Sequence, residues 1–219
     1  MAILTTKTSI DTTWADVQDN INYGNASFYT PGDIITDTLA DGRKFPFAVA
    51  AVNHYQQDEV IFTFAESLCR RPMNKKDTNK GGWGASDLRK FANGEALALM
   101  PEDLQKVIAP VTIVETQSDG TRTSCTDKLW VPSVMEVSGE WPWEEQENGV
   151  DKQFPYYAVP GNRIVRDGSG AVCGWRERSA LISYTYYFYF VSTSGGPYYY
   201  SNANNRHGVV LGFAIRKSV

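Results

Sequence analysis

A charge-free, tyrosine-rich segment is the strongest constraint on how this chain folds. Residues 179–205 contain no Asp, Glu, Lys or Arg, and seven of the twelve tyrosines lie in residues 184–200, here called the tyrosine run. Val191 is the single aliphatic Val, Ile or Leu between residues 184 and 205, so the residues of a buried core are scarce. Burying the phenols would cost about 1–3 kcal/mol for each hydroxyl left unpaired. The segment therefore favours a contact surface over a core.

Alternation within the run predicts a strand with two different faces. One face carries Tyr187, Tyr189 and Val191, and the other carries the even-numbered residues 186–192. A β-bulge would reverse this assignment. Tyr mixed with Ser, Gly and Asn is the composition of antibody paratopes, because Tyr offers a large contact area with few torsions to freeze. The strand is expected to pack on one side and to meet a ligand on the other.

The overall composition limits the classes of function. With 219 residues, 42% hydrophobic and 21% charged, the chain is long enough for one ample globular domain or two small ones. The net charge of -4 and the absence of a basic stripe argue against nucleic acid as a partner. No run of about 18 apolar residues predicts a membrane span. The first residues, MAILTTKTSI, lack the pattern of a signal peptide, which fits a phage-borne or cytosolic product.

The order of the predicted elements indicates an α+β fold. Strands are expected at 33–39, 44–55 and 59–66, with an Asp41-Gly42 turn between the first two, and alternation over 60–65 predicts a half-buried third strand. Residues 70–84 and 118–127 are expected to form connections. Two helices are predicted after Ser86 and after Pro101, and a short one at 14–20. Further short strands are expected at 111–117 and within 171–215. The sequence therefore predicts mostly short antiparallel strands with two helices.

Motifs for catalysis or metal binding are missing from the sequence. His54 and His207 have no neighbouring Cys or His, and Cys69, Cys125 and Cys173 are too far apart for a zinc motif and are expected to be free thiols. No GxSxG or phosphate-loop motif occurs, and the acidic residues of segment 136–147 do not have EF-hand spacing. We therefore expect no catalytic residue, no metal and no cofactor.

The residues that flank the tyrosine run carry a resemblance to a known family. The run lies between WRERS at 175–179 and GVVLGFAI at 208–215. This pattern resembles the C-terminal half of the C-type-lectin-fold variable proteins of diversity-generating retroelements, found in phages and gut bacteria. Softer matches upstream extend the resemblance to about residues 30–215: GDIITDTLADGRKFPFAV, MNKKDTNKGGWGASDLRKFAN, MPEDLQKVIAPV and DKLWVPSVMEV. It implies a C-type lectin-like domain at 29–219, after an N-terminal extension at 1–28, with a variable binding region at about 175–215.

The resemblance also implies which side chains vary and which form the scaffold. In this family, error-prone copying of adenines changes Asn-type codons to Tyr, Ser, Phe and others, and the fold displays those side chains on an exposed, rigid face. The implied ligand-binding positions are Tyr184, Tyr186, Tyr187, Tyr189, Ser192, Ser194, Tyr198, Tyr200, Asn202 and Asn204. The implied scaffold positions are Trp175, Arg176, Ser179, Gly208, Val209, Gly212 and Phe213. Ala180 departs from the pattern, since Pro is frequent there in relatives.

Three hypotheses follow for the function. The first is a non-enzymatic binding protein whose partner is a protein or glycan receptor on a target surface. The second is a structural virion or assembly protein that uses the aromatic face as an oligomer contact. The third arises because the fold also resembles that of formylglycine-generating enzymes, whose activity uses a pair of cysteines in the C-terminal region. Cys173 is the single cysteine after Cys125, so the enzymatic function is not carried over.

Overall fold

The fold is built around two five-stranded sheets. The computed structural model describes residues 8–140 and 151–218, so residues 1–7 of the expected extension and Glu144, Glu145 and Glu147 of the acidic segment lie outside the described residues. The first sheet contains, in spatial order, β1 (Ile34–Thr38), β2 (Lys44–Val52), β3 (Glu59–Phe64), β14 (Gly212–Arg216) and β5 (Ile108–Ala109). The second contains β12 (Tyr199–Asn202), β11 (Tyr187–Val191), β10 (Trp175–Ala180), β13 (His207–Gly208) and β4 (Arg70–Arg71).

Two hairpins and short helices complete the architecture. The hairpins are β6 (Val111–Thr116) with β7 (Arg122–Asp127), and β8 (Val165–Arg166) with β9 (Val172–Cys173). The α-helices are α1 (Trp14–Asn22), α2 (Gly82–Ala85), α3 (Asp87–Phe91), α4 (Leu97–Leu99), α5 (Glu102–Val107) and α6 (Val134–Ser138). Short 3₁₀ helices span Ala26–Phe28, Pro155–Ala158 and Pro160–Arg163. Among the described strands, β10 and β13 alone pair in parallel. The prediction of an α+β fold with mostly antiparallel strands is confirmed.

The first sheet follows the sequence pattern closely, with one difference in burial. β1, β2 and β3 lie where the pattern predicts them, and Gly42 (φ +86°) occupies the left-handed position of the turn between the first two. All six residues of β3 are buried, so the prediction of a half-buried strand is wrong. The reason is its central position: β3 lies between β2 and β14, and its sheet is covered on both faces.

Two predicted connections contain regular structure. Residues 70–84 hold β4 and most of α2, and residues 118–127 hold the whole of β7. β7 pairs with β6 through the turn at Asp119 and Gly120, where Gly120 has a φ of +82°. The strand escapes detection because its residues, RTSCTD, are mostly polar and only its last residue is buried. β4 is a two-residue edge strand that exists through its pairing with β13.

The helical region is continuous from α3 to α4. Ser86 caps α3 by accepting a hydrogen bond from the Arg89 amide at 3.0 Å, as predicted. A π-helical turn, Ala92–Ala96, which contains Asn93 and Gly94, joins α3 to α4. The Asn93 carboxamide accepts from the amides of Lys128 and Leu129 and donates to the Leu129 carbonyl, which fixes this turn against the next segment. α5, the helix predicted after Pro101, ends at Val107.

The N-terminal helix shares the core of the rest of the fold. Thr13 and Asp16 form a reciprocal capping box at the start of α1. The buried Trp14 indole packs edge-on against the rings of Phe47, Phe62 and Phe213, with centroids 5.5, 5.3 and 5.8 Å away. Its Nε1 donates to Asp37 Oδ2 at 2.9 Å. Helix α1, which belongs to the expected N-terminal extension, therefore contributes directly to packing the first sheet.

Replacing Trp14 tests this role of α1. We expect Trp14→Ala to lower the free energy of unfolding by about 3–5 kcal/mol, because a large buried ring would leave a cavity at the centre of three aromatic contacts. The matched control is Tyr23→Ala at the C-cap of the same helix, where the side chain is 81% exposed. Urea unfolding of both variants checks the prediction. Equal, small losses for the two variants would contradict it.

Candidate functional site

Five tyrosines of the run are at least partly accessible and are here called the tyrosine surface: Tyr184, Tyr186, Tyr187, Tyr198 and Tyr200. The rings of four of them are in contact, whereas the Tyr198 hydroxyl donates to Glu140 Oε2 at 3.4 Å. At the centre of the surface the Tyr187 ring lies 5.7 Å from the ring of Tyr184, 4.3 Å from that of Tyr186 and 5.0 Å from that of Tyr200. Tyr184, Tyr198 and Tyr200 are 49%, 41% and 53% exposed, and the other two are half-buried. Large exposed phenols in mutual contact are typical of the centres of recognition surfaces.

The strand register explains how the run brings these side chains together. β11 and β12 pair antiparallel, with Tyr187 opposite Asn202 and Tyr189 opposite Tyr200. Directly opposed residues share a face, so these four side chains lie on the same side of the sheet. The alternation that grouped Tyr187 with Tyr189 is therefore confirmed. Tyr184 and Tyr186 join them from the segment immediately before β11.

Tyr189 corrects the predicted set of ligand-binding residues. It points to the same face as Tyr187 but is 2% exposed, so the expectation that its side chain is displayed on an exposed face is wrong. Its ring packs against Val134 at the start of α6 and against Leu181. Helix α6 covers this part of the face, and alternation within β11 alone carries no information about that cover.

The polar residues of the predicted set lie in the turn between β11 and β12 and at the end of β12 or just after it. Ser194 and Asn204 are exposed, and Ser192 and Asn202 are half-buried. The Ser192 and Ser194 hydroxyls are 2.9 Å apart within the turn between β11 and β12. Asn202 donates through Nδ2 to Asp77 Oδ2 at 2.6 Å. Ser192, Ser194 and Asn202 therefore already take part in internal hydrogen bonds, and Ser194 and Asn204 are the exposed polar residues of the set.

Two surface residues were missed by the sequence reasoning. Tyr199 is 55% exposed on the opposite face of β12, where its ring lies 5.9 Å from that of Phe190. Strand β12 is at the edge of its sheet, and its neighbours Tyr199 and Tyr200 are both exposed although they point to opposite faces. Asp77, from the loop before α2, adds an exposed carboxylate beside Asn202. No local signal in the sequence links residue 77 to the tyrosine run.

The backbone that carries the tyrosine surface is held by Asn79, a residue outside the run. Asn79 Nδ2 donates to the carbonyl oxygens of Tyr184 at 2.6 Å and Tyr187 at 2.9 Å. The Asn79 amide also donates to the Thr185 carbonyl at 2.9 Å. Since Asn79 is buried and contacts main-chain atoms of three run residues, it fixes the path of the chain whatever side chains the run carries.

Arg176 provides the same kind of support for the other end of the surface. Its buried guanidinium donates through Nη2 to the carbonyl oxygens of Asn202 at 2.6 Å and Asn205 at 2.7 Å. Burial lowers the pKa of Arg176 to about 10, an effect that the negative charge of Asp77 opposes. Arg176 therefore remains protonated at neutral pH and keeps its charge-assisted bonds to the β12 backbone.

Arg178, two residues along β10, holds the helix that covers Tyr189. Its guanidinium forms ion pairs with Glu136 of α6 at 2.5 Å and with Asp151 at 2.6 Å. Glu136 also closes a capping box with Ser133 and accepts from the Tyr55 hydroxyl at 3.0 Å. Burial raises the pKa of Glu136, and the positive charge of Arg178 opposes that rise. This network places α6 against the sheet that bears the tyrosine run.

The predicted scaffold residues lie inside the fold. All of them are buried: Trp175, Arg176, Ser179, Gly208, Val209, Gly212 and Phe213. A Cβ at Gly208 would come within 2.9 Å of Ser67 Oγ and 3.0 Å of Cys173 Sγ, so β13 needs glycine there for close packing. The scaffold residues on either side of the tyrosine run are therefore buried, whereas most residues within the run are exposed or half-buried.

His207 lies on the sheet face that carries Phe190 and Tyr199. Its imidazole stacks on the Phe190 ring with a centroid separation of 4.4 Å, and its Nε2 is 3.0 Å from Ser201 Oγ. Burial lowers the pKa of His207 to about 4, with smaller effects in the same direction from the cations Arg176 and Arg70. A neutral imidazole is therefore part of the packing under β11 and β12.

Acid should loosen this packing through His207. As the pH falls from the ordinary histidine pKa of 6.5 towards the folded value of about 4, the unfolded chain takes up a proton that the folded protein does not. Stability should therefore decline across that window, and His207→Gln should decline less. His54, whose pKa is also lowered by burial, is present in both proteins and cancels in the comparison. Urea unfolding at several pH values, with the His207 titration followed by NMR, checks this. Parallel stability curves would contradict it.

Comparisons with known proteins place the chain in a family. The three cysteines are free thiols, and within residues 8–140 and 151–218 no group of three or more His, Cys, Asp or Glu side chains is arranged to hold a metal ion. No helix in those ranges is long and apolar enough to span a membrane. No curated protein and no solved structure matches the chain. One family model matches residues 57–216, which include β3 and the whole tyrosine run. The chain therefore belongs to the family described as a domain of unknown function, DUF6273.

Proposed function

We propose that this protein is a non-enzymatic binding protein that presents the tyrosine surface to a receptor. The observation that carries the proposal is the way the surface is supported. Asn79 lies outside the tyrosine run and binds the main-chain carbonyl of Tyr184 at 2.6 Å, and Arg176 binds that of Asn202, two residues after the run, at 2.6 Å. Side chains that are exposed and not needed to hold the backbone can change without altering the fold. This is the arrangement that a surface adapted to different ligands requires.

The chemistry of the surface also supports binding. Tyr184, Tyr198 and Tyr200 expose large amphipathic rings, and Tyr residues lose little conformational entropy when they bind. Asp77, Ser194 and Asn204 supply hydrogen-bonding groups around them. Aromatic anchors surrounded by polar groups are the arrangement of interface hot spots. The proposed partner is a protein or glycan receptor on a target surface, bound without a metal or cofactor.

The proposal includes a C-type lectin scaffold diversified by a retroelement. The α+β architecture with mostly antiparallel strands is compatible with that fold. Buried residues at the two ends of the run, such as Trp175 and Phe213, separate a constant frame from exposed positions between them. Phe188, Tyr189 and Val191 are buried within the run, so the proposed variable set is narrower than the run itself.

Removing exposed rings tests the binding role. We expect the triple variant Tyr184→Ser, Tyr198→Ser and Tyr200→Ser to keep its melting temperature, because these rings are 41–53% exposed, and to lose binding. Binding is measured with the labelled protein on a panel of intact bacterial cells and on a glycan array. The control is Tyr23→Ser with Phe28→Ser, which removes rings that are 81% and 66% exposed in the N-terminal region.

The outcomes separate the alternatives. Equal binding by the triple variant and the control would contradict the proposed surface, and so would a large fall in the melting temperature of the triple variant alone. Light scattering of the same variants addresses the second function. If, without any ligand, the wild-type protein is an oligomer and the triple variant is a monomer, the surface is an assembly contact instead.

The gene offers an independent test of diversification. We expect an adenine-rich near-copy of the codons for residues 175–215 beside a reverse transcriptase gene. Among copies of this gene, replacements should concentrate at exposed positions such as Tyr184, Tyr200 and Asn204, and spare Trp175 and Arg176. Sequencing the locus in a population checks both expectations. Replacements spread evenly over buried and exposed codons, or no such repeat, would indicate a fixed surface.

A further inference from the structure

A cleft with an excess of positive charge lies at the edge of the second sheet. It has a volume of about 510 Å³, within the usual size range of small-molecule sites. Its walls come from strand β4, the loop that follows it, the start of α3 and the turn before β13. The lining residues with charged side chains are Arg70, Arg71, Lys75, Arg206 and Asp87. In a chain whose net charge is -4, four cations against one carboxylate make an unusual local concentration of positive charge.

Two of these cations are held in place by carboxylates outside the lining. Arg70 pairs with Asp167 at 2.8 Å, and Arg71 pairs with Glu95 at 2.8 Å. The Arg71 guanidinium also lies 3.7 Å from the centroid of the Phe91 ring. Each arginine uses one nitrogen, Nη2, in its ion pair, so further N–H groups are left to meet a ligand. Arg70 and Arg71 are therefore pre-positioned at the walls of the cleft.

The other two cations are not neutralised in this way. In the part of the chain that the structure describes, no carboxylate lies within 4.0 Å of the Lys75 ammonium or the Arg206 guanidinium. Arg206 Nη2 instead donates to the Arg70 carbonyl at 2.7 Å, which fixes its orientation but leaves its charge uncompensated. Two positive charges are thus available at the mouth of the cleft.

The single acidic residue of the lining is already engaged. Asp87 accepts a hydrogen bond from the Lys75 main-chain amide at 3.0 Å and pairs with Lys90 at 3.5 Å. The Lys75 amide and then the Lys90 charge lower the pKa of Asp87 and keep it ionised. Its carboxylate therefore already stabilises α3 and the loop that contains Lys75. Cys69, Pro72 and Leu88 give the cleft an apolar part beside the cations.

We propose that this cleft binds the oxyanion of a phosphate or sulfate ester. Arg206 and Lys75 would supply the uncompensated charge, and Arg70 and Arg71 would add N–H donors from the sides. A tetrahedral oxyanion with several acceptor oxygens matches several converging donors, and guanidinium groups bind such oxygens in pairs. The apolar part would contact the body of the ester. The site uses none of the residues of the tyrosine surface and does not depend on its proposed function.

Protection of Cys69 from alkylation provides a direct test. Cys69 lines the cleft and is partly accessible, so an anion bound there should slow its reaction with N-ethylmaleimide, followed by mass spectrometry. The probes are inorganic phosphate, inorganic sulfate, glucose 6-phosphate and a sulfated disaccharide, each compared with chloride at equal ionic strength. Strongest protection by glucose 6-phosphate identifies a phosphoester, and by the disaccharide a sulfoester. Equal protection by chloride would overturn the proposal.

Matched charge variants locate the effect. We expect Lys75→Ala with Arg206→Ala to weaken the apparent affinity about tenfold or more, since two charge-assisted contacts are lost. Lys106→Ala with Arg122→Ala removes the same formal charge from exposed positions outside the cleft lining and should leave the affinity unchanged. Equal weakening in both pairs would show a general charge effect and reject the site.

Two further variants keep the test decisive. Lys75→Gln alone changes an exposed side chain and should still weaken phosphate binding if the double variant fails to fold. The triple tyrosine variant should retain full protection of Cys69 by phosphate. If the triple tyrosine variant binds receptor as well as the wild-type protein while phosphate still protects Cys69, the tyrosine surface is rejected and the cationic cleft stands. If Lys75→Gln leaves phosphate binding unchanged, the cationic cleft is rejected and the tyrosine surface stands.

Discussion

The two buried arginines of β10 are the interactions on which the rest of this structure depends. Removing a guanidinium from water costs several kcal/mol unless its donors are paired. Arg176 meets this requirement with main-chain carbonyls of the β12 region, and Arg178 meets it with Glu136 and Asp151. Their acceptors come from segments on both sides of β10 in the sequence. Folding of β10 therefore places α6 and the end of the tyrosine run at the same time.

This arrangement separates what holds the surface from what the surface displays. Arg176 and Asn79 bind carbonyl oxygens, which every residue type possesses, so the support does not depend on side-chain identity within the run. The exceptions are Phe188, Tyr189 and Val191, whose side chains are buried within the fold. The run is thus a mixture of two kinds of position. An exposed tyrosine can be exchanged at little cost in stability, whereas a buried one takes part in the core.

The sequence predicts those features that depend on local pattern and misses those that depend on cover from distant segments. Alternation and an Asp-Gly turn were enough to find β1, β2 and β3, and alternation grouped Tyr187 correctly with Tyr189. Burial of Tyr189 depends on α6, about fifty residues earlier in the chain, and exposure of Tyr199 depends on β12 being an edge strand. The cationic cleft combines side chains from residues 69–75, 87–88 and 206, so no spacing pattern in the sequence predicts it.

The tyrosine surface and the cationic cleft are mechanically joined. The turn that follows β12 is held by Arg176 at the Asn205 carbonyl, and the next residue, Arg206, donates to the Arg70 carbonyl in β4. His207 then pairs with Arg71 across the sheet. Because each of these bonds involves main-chain oxygens or strand pairing, the two areas keep a fixed relative position when exposed side chains of the run change. Under the proposed functions, the exposed side chains of the tyrosine surface can therefore change while the proposed oxyanion cleft beside it keeps its geometry.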